Sequence, residues 1–553
     1  MTIKPGSVPA MPRSPQTIHL SAFDWDGATH SFRNDGVEVD HDARDALYDI
    51  LRASASSHLE IIAPPGIINL GHAAPTSCIA IQRSNVVLRG AGKNATRFTY
   101  ASVLIEMRGN FVNGCGILVA RVDRAHGNTV TTLENITLRD FELEDINPNR
   151  CTGNYTTTNS PSGIFAFAVD NIELLDLRVV NAKGNGLVTI NGKTDHEGPL
   201  QQNCLIRNVD LLGDPGRPGK FAEGDGFNIG SYRDVKILQG SVIRVQRHAL
   251  EGGTPGHSML VDGLLVDQRG QGFSGIAPTG YAEVRIVNCH VRNIAAPWYH
   301  IDFTDDPGAQ APSMRNLILQ NNILERGGPP GNNVQAGSAV RLQTIGSPSL
   351  IGNVDVSHNI LMGDFYCAVT LGSNDAPSGI FAHNDLTRMM HGNGGAMFGR
   401  ISNTGTTPAK GDTLLVEGNR LPPGLPIVRF DNVPEWKNTC YLRLRGNIGG
   451  VTLAESAGLS QHGHPVRVAA NWINGTVPAG GLSGPYKVTV LDAMPGDRVN
   501  IYPGPSWPAG PAAEPIAFVT ANDTVTCHVR NSTGTPGPAL GGEHVFYLDI
   551  ERR

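Results

Sequence analysis

The chain has 553 residues, too many for one compact core, so it is either several domains or one elongated repetitive body. Its 66 Gly and 37 Pro, with 40% hydrophobic and only 17% charged residues, exclude a disordered chain and a helical one. The net charge of -6 is spread without any basic run, which argues against nucleic acid, and no apolar stretch approaches the roughly 20 residues of a membrane span.

The first 20 residues are rich in Pro and Ser, lack the apolar centre of a secretory signal, and are expected as an extended arm suited to docking on a particle. The protein is accordingly expected to be made in the cytoplasm without a signal peptide, and to act as a virion-like component or after release from the cell. Asp42 to Leu51 has apolar residues at helical spacing and is expected to cap the open N-terminal end of a stack of repeats. The eight cysteines, at 78, 115, 151, 204, 289, 367, 440 and 527, form no C-x-x-C pair, which removes the usual zinc and redox spacings and leaves buried thiols.

From residue 131 to 455 one pattern organises the sequence. An apolar residue is followed by another two places on, a third position three later, and an apolar residue two after that. It reads Ile136, Leu138, Phe141, Leu143, then Ile172, Leu174, Leu177, Val179, then Cys204, Ile206, Val209, Leu211. Further copies begin at Val235, Met259, Val284, Leu317 and Val354, with looser ones around Asn384, Asn419 and Asn447. Alternation, a three-residue step and renewed alternation describe a strand, a sharp bend and a second strand, which no helix produces. The copies recur at intervals of roughly 24 to 37 residues, as in stacked solenoid coils with loops of varying length.

The fold class is therefore expected to be all-β, a right-handed parallel β-helix of about 11-13 coils. Residues 21–130 form its opening and cap. A second short strand comes next in most coils, as a small residue, then apolar, polar, apolar: Gly226-Phe227-Asn228-Ile229 and His300-Ile301-Asp302-Phe303 are examples. Asn322, Asn359, Asn384, Asn419 and Asn447 share one template position and are expected to stack as a ladder inside the bend. Beyond a linker near Glu455 to Pro465, residues 466–553 carry short alternating segments such as Arg498-Val499-Asn500-Ile501-Tyr502 and Thr524-Val525-Thr526-Cys527-His528-Val529, expected as a small antiparallel β-sandwich.

Pro64-Pro65-Gly66 after Ile61-Ile62, and Gly90-Ala91-Gly92 after Val86-Val87-Leu88, resemble the opening of the pectate-lyase-like right-handed parallel β-helix superfamily. Phe23-Asp24-Trp25-Asp26-Gly27-Ala28-Thr29-His30-Ser31 resembles the inulin fructotransferases, glycoside hydrolase family 91, which are trimeric β-helices. That resemblance implies an acidic role for Asp234, while Val245 and Gln246 stand where the family's partner glutamate is expected. The run from Met494-Pro495-Gly496-Asp497 to Asn531-Ser532-Thr533-Gly534 resembles the C-terminal β-domains of phage-type spike and tail proteins, which implies a homotrimer.

A β-helix has no preformed deep pocket, so its chemistry must come from outward side chains on neighbouring coils. The densest set is Asp225 and Asn228, Arg247, His248 and Glu251, and Trp298, Tyr299, His300 and Asp302. The template puts Asn228, Glu251 and Asp302 in one outward column, with Glu251 and Asp302 two rungs or about 9.6 Å apart, near the upper spacing of acid and base in inverting glycoside hydrolysis. Glu251, Asp302, Asp225 and Asp234 are thus the catalytic candidates. Asn228, Arg247, His248, Trp298, Tyr299, His300 and Arg341 are the substrate-binding ones, the aromatics by stacking on a sugar ring and Arg341 by holding a glycan carboxylate. Each has a plainer reading: a turn at Asp225, satisfied histidines, solvated strand acids, aromatics packed under a loop, or an Arg341–Asp302 ion pair. Asp305 and Asp306 have no fixed ligand spacing, and no metal or other cofactor is expected.

These residues favour a homotrimeric, phage-like spike or receptor-binding protein that binds, and in one version depolymerises, a capsular or other cell-surface polysaccharide. The alternative is a free carbohydrate-active enzyme, a fructotransferase, glycoside hydrolase or polysaccharide lyase. A structural adhesin without a glycan ligand is the third reading.

Overall fold

The computed structural model describes most of residues 16–551, leaving out chiefly 39–50, 102–114, 147–161, 214–223, 306–315, 327–336, 345–352, 401–413 and 426–441. Two compact units result, Met1–Asp302 with Gly308–Pro312, and Phe303–Pro307 with Ser313–Arg553. Both are built on coils of a right-handed parallel β-helix, and the second ends in an antiparallel sandwich. Among the described residues no helix is long and apolar enough to cross a membrane.

In the first unit each coil contributes a strand, a bend, a second strand and, after a corner, a third short strand. Asp234–Ile243 with His248–Glu251 makes one coil; Gly256–Asp262, Leu265–Gln271 and Ser274–Ala277 make the next. The repeat read from the sequence is the pairing register itself. Ile136 lies opposite Ile172, Ile172 opposite Cys204, Cys204 opposite Val235, Val235 opposite Met259, and Met259 opposite Val284. These inward side chains are at most 2% exposed, and each aliphatic one contributes roughly 1.5–3 kcal/mol of burial.

The three-residue step is a left-handed corner. Asp140, Asp176, Asn208, Gln239, Gly263 and Asn288 occupy it with φ between 52° and 71°, a region in which Asn, Asp and Gly are the least strained residues. A second corner is marked by Asn85, Asn135, Asn171 and Asn203, also left-handed. Their exposed amides donate from each to the one before at 2.8, 3.0 and 2.8 Å. The sequence template did not reveal this second ladder.

The coils begin before residue 131. Leu59–Ile62 pairs in parallel with Val86–Arg89, which pairs with Leu133–Arg139, so the segment expected as an opening already contains full rungs. Gln16–His19, within the expected arm, is a strand paired in parallel with Leu59–Ile62. Of the predicted capping helix only Leu51 is described, helical and buried; residues 42–50 lie outside the described residues. Cys115, Cys204, Cys289, Cys367 and Cys527 are buried free thiols, as expected of this spacing.

The second unit continues the same template, with Leu317 opposite Val354 and Leu319 opposite Val356. Its bend carries the buried ladder. The Nδ2 groups of Asn322, Asn359, Asn384 and Asn419 donate to Oδ1 of the next asparagine at 2.9, 3.0, 2.9 and 2.8 Å. Each Oδ1 also accepts the preceding asparagine's backbone N–H, and Nδ2 reaches back to a carbonyl, as Asn384 does to Val356 O at 2.9 Å. The stretch read as a linker carries a further parallel strand, Leu459–His462, paired with Leu442–Arg445.

Past it, Val466–Asn471, Glu543–Glu551 and Arg498–Pro503 form one antiparallel sheet, and Leu482–Thr489, Thr524–Arg530 and Glu514–Ala521 another. Val525, Val529, Phe546 and Leu548 fill the core between them with Trp507, whose indole packs edge-on to Phe546 at 4.8 Å and donates to Ala513 O.

Replacing Asn384 by Ala leaves the Asn359 N–H and the Val356 carbonyl unpaired in a buried bend, at about 1–3 kcal/mol for each group. A clearly lower unfolding temperature is expected. Asn171→Gly, in the exposed ladder and at a left-handed φ that Gly accepts freely, is expected to change it little. Equal losses in calorimetry would remove the distinction between a structural and an ornamental ladder.

Candidate functional site

The third strands of the coils break strict alternation. In Asp225-Gly226-Phe227-Asn228 the two middle residues are both buried against the interior, and the same holds for Ala249-Leu250 and His300-Ile301. Two consecutive inward residues require a kink, which the small residues permit. A Cβ on Gly226 would stand 2.6 Å from Val242 Cγ1 and run into the Ala249 carbonyl, and one on Gly275 would stand 2.5 Å from Val291 Cγ1. The kink turns the first and fourth residues of the strand toward each other on the outer side. Asn228 Nδ2 thus lies 3.2 Å from Asp225 Oδ2.

Stacking adds a diagonal. The first residue of one rung meets the fourth residue of the next: Ser162 Oγ and Thr189 Oγ1 at 2.8 Å, and Ser274 Oγ and Asp302 Oδ2 at 3.4 Å. In the second unit Ser338 and Thr370 make the same contact. Between the Ser162 and Ser274 pairs, the diagonal at one rung is occupied by two carboxyl groups, Asp225 and Glu251, with an oxygen of each within 4.8 Å of the other.

The pair is tightly dressed. Arg247 forks onto Glu251, with Nη2 3.1 Å from Oε1 and Nη1 3.2 Å from Oε2, while Nη1 is 3.8 Å from Asp225 Oδ2. Asn228 Nδ2 donates to Glu251 Oε2 at 3.0 Å, and the His248 backbone N–H donates to Asp225 Oδ1 at 3.0 Å. His248 Nδ1 approaches Asp225 Oδ1 at 3.2 Å and Glu251 Oε1 at 3.7 Å, out of line for a hydrogen bond but close enough for strong attraction.

Burial sorts the protons. Asp225 is fully buried, and desolvation, aided by the Glu251 charge, pushes its carboxyl up to about 6. Burial also acts on Glu251, but His248, the Asp225 hydroxyl and Arg247 overrule it and hold it down at about 2. For His248 burial favours the neutral ring, yet the two carboxylates prevail and raise it to about 9. Below about pH 6 the cluster is a protonated Asp225 behind an ionised Glu251, flanked by two cations, and above it both acids are ionised.

Asp225, His248 and Glu251 bring oxygen and nitrogen atoms within 4.8 Å of one another. Both Glu251 oxygens are engaged by the Arg247 guanidinium.

Of the residues selected from sequence, Asn228, Arg247, His248, Glu251 and Asp225 come together here. Asn228 is opposite Glu251, and Glu251 is opposite Ala277. Ser274 pairs with Tyr299 and Ile276 with Ile301, so Asp302 comes in the same column two rungs from Glu251, as the template predicted. Tyr299 is half-buried at the start of that rung.

His300 and Asp234 do not join this cluster. His300, expected beside the outward column, is the inward partner of the kink and fully buried. Asp234 lies on the other sheet, opposite Ser258, whose hydroxyl donates to it at 2.8 Å. Arg341 is half-buried on Val340–Thr344 of the second unit, opposite Thr370. Trp298 lies outside the described residues. The strictly alternating template set Asp225 and His248 beside the outward column and did not show the kink that brings Asp225 to Glu251. The small residue before each apolar one, Gly226 and Ala249 among them, was the signal of the kink.

No protein-family model matches the sequence, and no curated protein matches it. Among solved structures, the chain is similar to a double mutant of the tailspike protein of E. coli bacteriophage HK620, at 13% identity over 97% of this chain and 94% of that one, with a TM-score of 0.52. It is also similar to the tailspike of Pseudomonas phage phi297, at 12% identity over 97% and 99% of the two chains and a TM-score of 0.44. An exopolygalacturonase from Thermotoga maritima aligns at 11% identity over 80% and 93%, with a TM-score of 0.38. At these identities the likeness is one of fold, the parallel β-helix.

The raised proton affinity of His248 links the cluster to stability. Its contribution is complete below its ordinary value of 6.5 and is lost as pH rises towards 9. Asp225 and Glu251 change charge below that window, between 3.8 and about 6 and between 4.5 and about 2. The unfolding temperature is therefore expected to fall between pH 6.5 and 9, and His248→Gln to flatten that slope. An unchanged slope in the variant would show that His248 is not held charged.

Proposed function

We propose that this protein is a phage-like spike, a homotrimer, that binds a cell-surface polysaccharide along the outer columns of its β-helix and hydrolyses it at Glu251 and Asp225. The observation that carries the reading is the acid pair itself. At a diagonal filled by two hydroxyls in two other coils stand two carboxyl groups with opposed proton affinities, and such separation is the usual signature of an acid–base site. The likeness in fold to a tailspike supports the polymer class.

Glu251 is the accessible member, at 15% exposure, and Asp225 the buried one. Below about pH 6 the proton held on Asp225 passes to the adjacent Glu251, which delivers it to the glycosidic oxygen as the bond to the anomeric carbon breaks. Water supplies hydroxide to that carbon, and its proton restores the pair. Asn228, one rung from Glu251, and Tyr299, two rungs away on the other side, contact the sugar hydroxyls and ring. Particle attachment and release into the medium belong to the same proposal and rest on the spike reading alone.

Incubation of the chain with bacterial surface polysaccharides, followed by size-exclusion chromatography, is expected to yield oligosaccharides with new reducing ends. Glu251→Gln and Asp225→Asn are each expected to lower the rate about 10²–10⁴-fold while polymer binding persists. Activity is expected to decline as pH rises through about 6, where Asp225 loses its proton. Saturable binding of an uncut polymer would remove the catalytic half of the proposal. Failure to bind any surface polysaccharide would remove the whole.

A further inference from the structure

We propose that the glycan site is closed on its N-terminal side, so that the protein takes the end of a polysaccharide chain and releases one or two sugar residues at a time. The inference rests on the reading that a glycan lies along the outer column of the third strands, and it concerns where that column stops. Its basis is an apolar cluster that stands outside the coil.

The pairing register defines the column. Leu118 lies opposite Phe165, Phe165 opposite Thr189, Thr189 opposite Asn228, and Asn228 opposite Glu251. All five point outward, because the residue before each, Ile117, Ile164, Val188, Phe227 and Leu250, fills the interior at 0% exposure. At the first two rungs the outward side chains are nevertheless apolar and covered. Phe165 and Phe167, 5% and 7% exposed, pack with Cys115, Ala120 and Ala168, and partly buried Leu118 and Val130 join them. Val130 belongs to an antiparallel hairpin, Arg121–Asp123 with Thr129–Thr131, that leaves the coil directly after the strand Ile117–Val119. The hairpin thus folds back onto the outer column. A glycan running through this point would have to lift it and return two phenyl rings to water, which the burial of apolar surface opposes.

Between this knot and Glu251 stand only Thr189 and Asn228, two rungs or about 9.6 Å. Thr189 is fully buried, with Ser162 Oγ 2.8 Å from its hydroxyl, so the first polar side chain past the knot that a ligand can touch is the half-buried Asn228. On the other side of Glu251 the column continues through the methyl group of Ala277 to Asp302. A rung and a sugar residue of an extended chain are similar in length. A chain lying on Glu251 therefore fits no more than two residues toward the knot, and its remainder extends over the Ala277 side. The bond at Glu251 is then the first or second from the chain end. Each turnover adds one water across that bond and frees a mono- or disaccharide.

The test uses the full chain and an unbranched bacterial surface polysaccharide separated into fractions of different length. Glu251→Gln, which leaves the column in place, is titrated onto each fraction, and the mass of the complexes is read by light scattering. At saturation the same number of protein molecules per polysaccharide chain is expected for short and long fractions, since each chain has one end of the right kind. A number that grows with chain length would show internal segments binding and would overturn the proposal. This arm needs no cleavage, so it decides the matter even if Glu251 and Asp225 hydrolyse nothing. Where the unmodified chain does cut, mono- or disaccharide is expected from the first time point, beside polymer that shortens slowly. Intermediate lengths at early times would also overturn the proposal while leaving the hydrolysis reading intact. Absence of binding to any surface polysaccharide would remove the inference together with the spike reading.

Discussion

Parallel pairing in strict register is the constraint on which the other features depend. Each rung lies about 4.8 Å from the next, so a residue's nearest chemical neighbours are its equivalents one coil above and below. An inward apolar residue must then meet another apolar residue, and an inward amide must meet another amide. The Asn322 to Asn447 ladder is this rule applied to a polar position: a lone asparagine there would be an unsatisfied buried group, while a column of them satisfies every member. The same rule acts on the outer face, where it makes Asn228, Glu251 and Asp302 one column across four rungs.

Register alone would have separated Asp225 from Glu251. They meet because the third strands carry two inward residues in succession, and that kink depends on side chains small enough to lie against the opposing sheet. Gly226, Ala249 and Gly275 meet that need in successive coils. The chemistry of the outer face is thus set in part by the volume of side chains in the interior. The kink also takes Asp225 out of water, and burial there raises the proton affinity of one acid while Arg247 and His248 hold the other ionised.

Much of this was legible in the sequence. The strand-bend-strand template needed only alternation and a three-residue step, and Ile136, Ile172, Cys204, Val235, Met259 and Val284 pair as it aligned them. The buried asparagines were legible because they recur at one template position. The exposed ladder at Asn85, Asn135, Asn171 and Asn203 was not, because it sits before the first apolar residue of each copy, where the template had no position. His300 was misplaced for a related reason: strict alternation turns it outward, and only the crowding that requires Gly at 226 and 275 shows that its column faces in. Asp234 was chosen from a family resemblance rather than from its neighbours, and its place opposite Ser258 on the other sheet is a consequence of the pairing register.

The diagonal contact between rungs separates what the fold requires from what it does not. Ser162 with Thr189 and Ser338 with Thr370 show that a pair of hydroxyls satisfies this position, each group donating or accepting as its neighbour demands. A carboxyl pair does the same only if one proton stays between the two acids, and it places a desolvated acid where a hydroxyl would carry no charge. Arg247, His248 and Asn228 then have to be supplied around it, and a hydroxyl pair needs none of the three. At this rung the exchange therefore adds the burial cost of a carboxyl and the need for three supporting side chains that a hydroxyl pair does without.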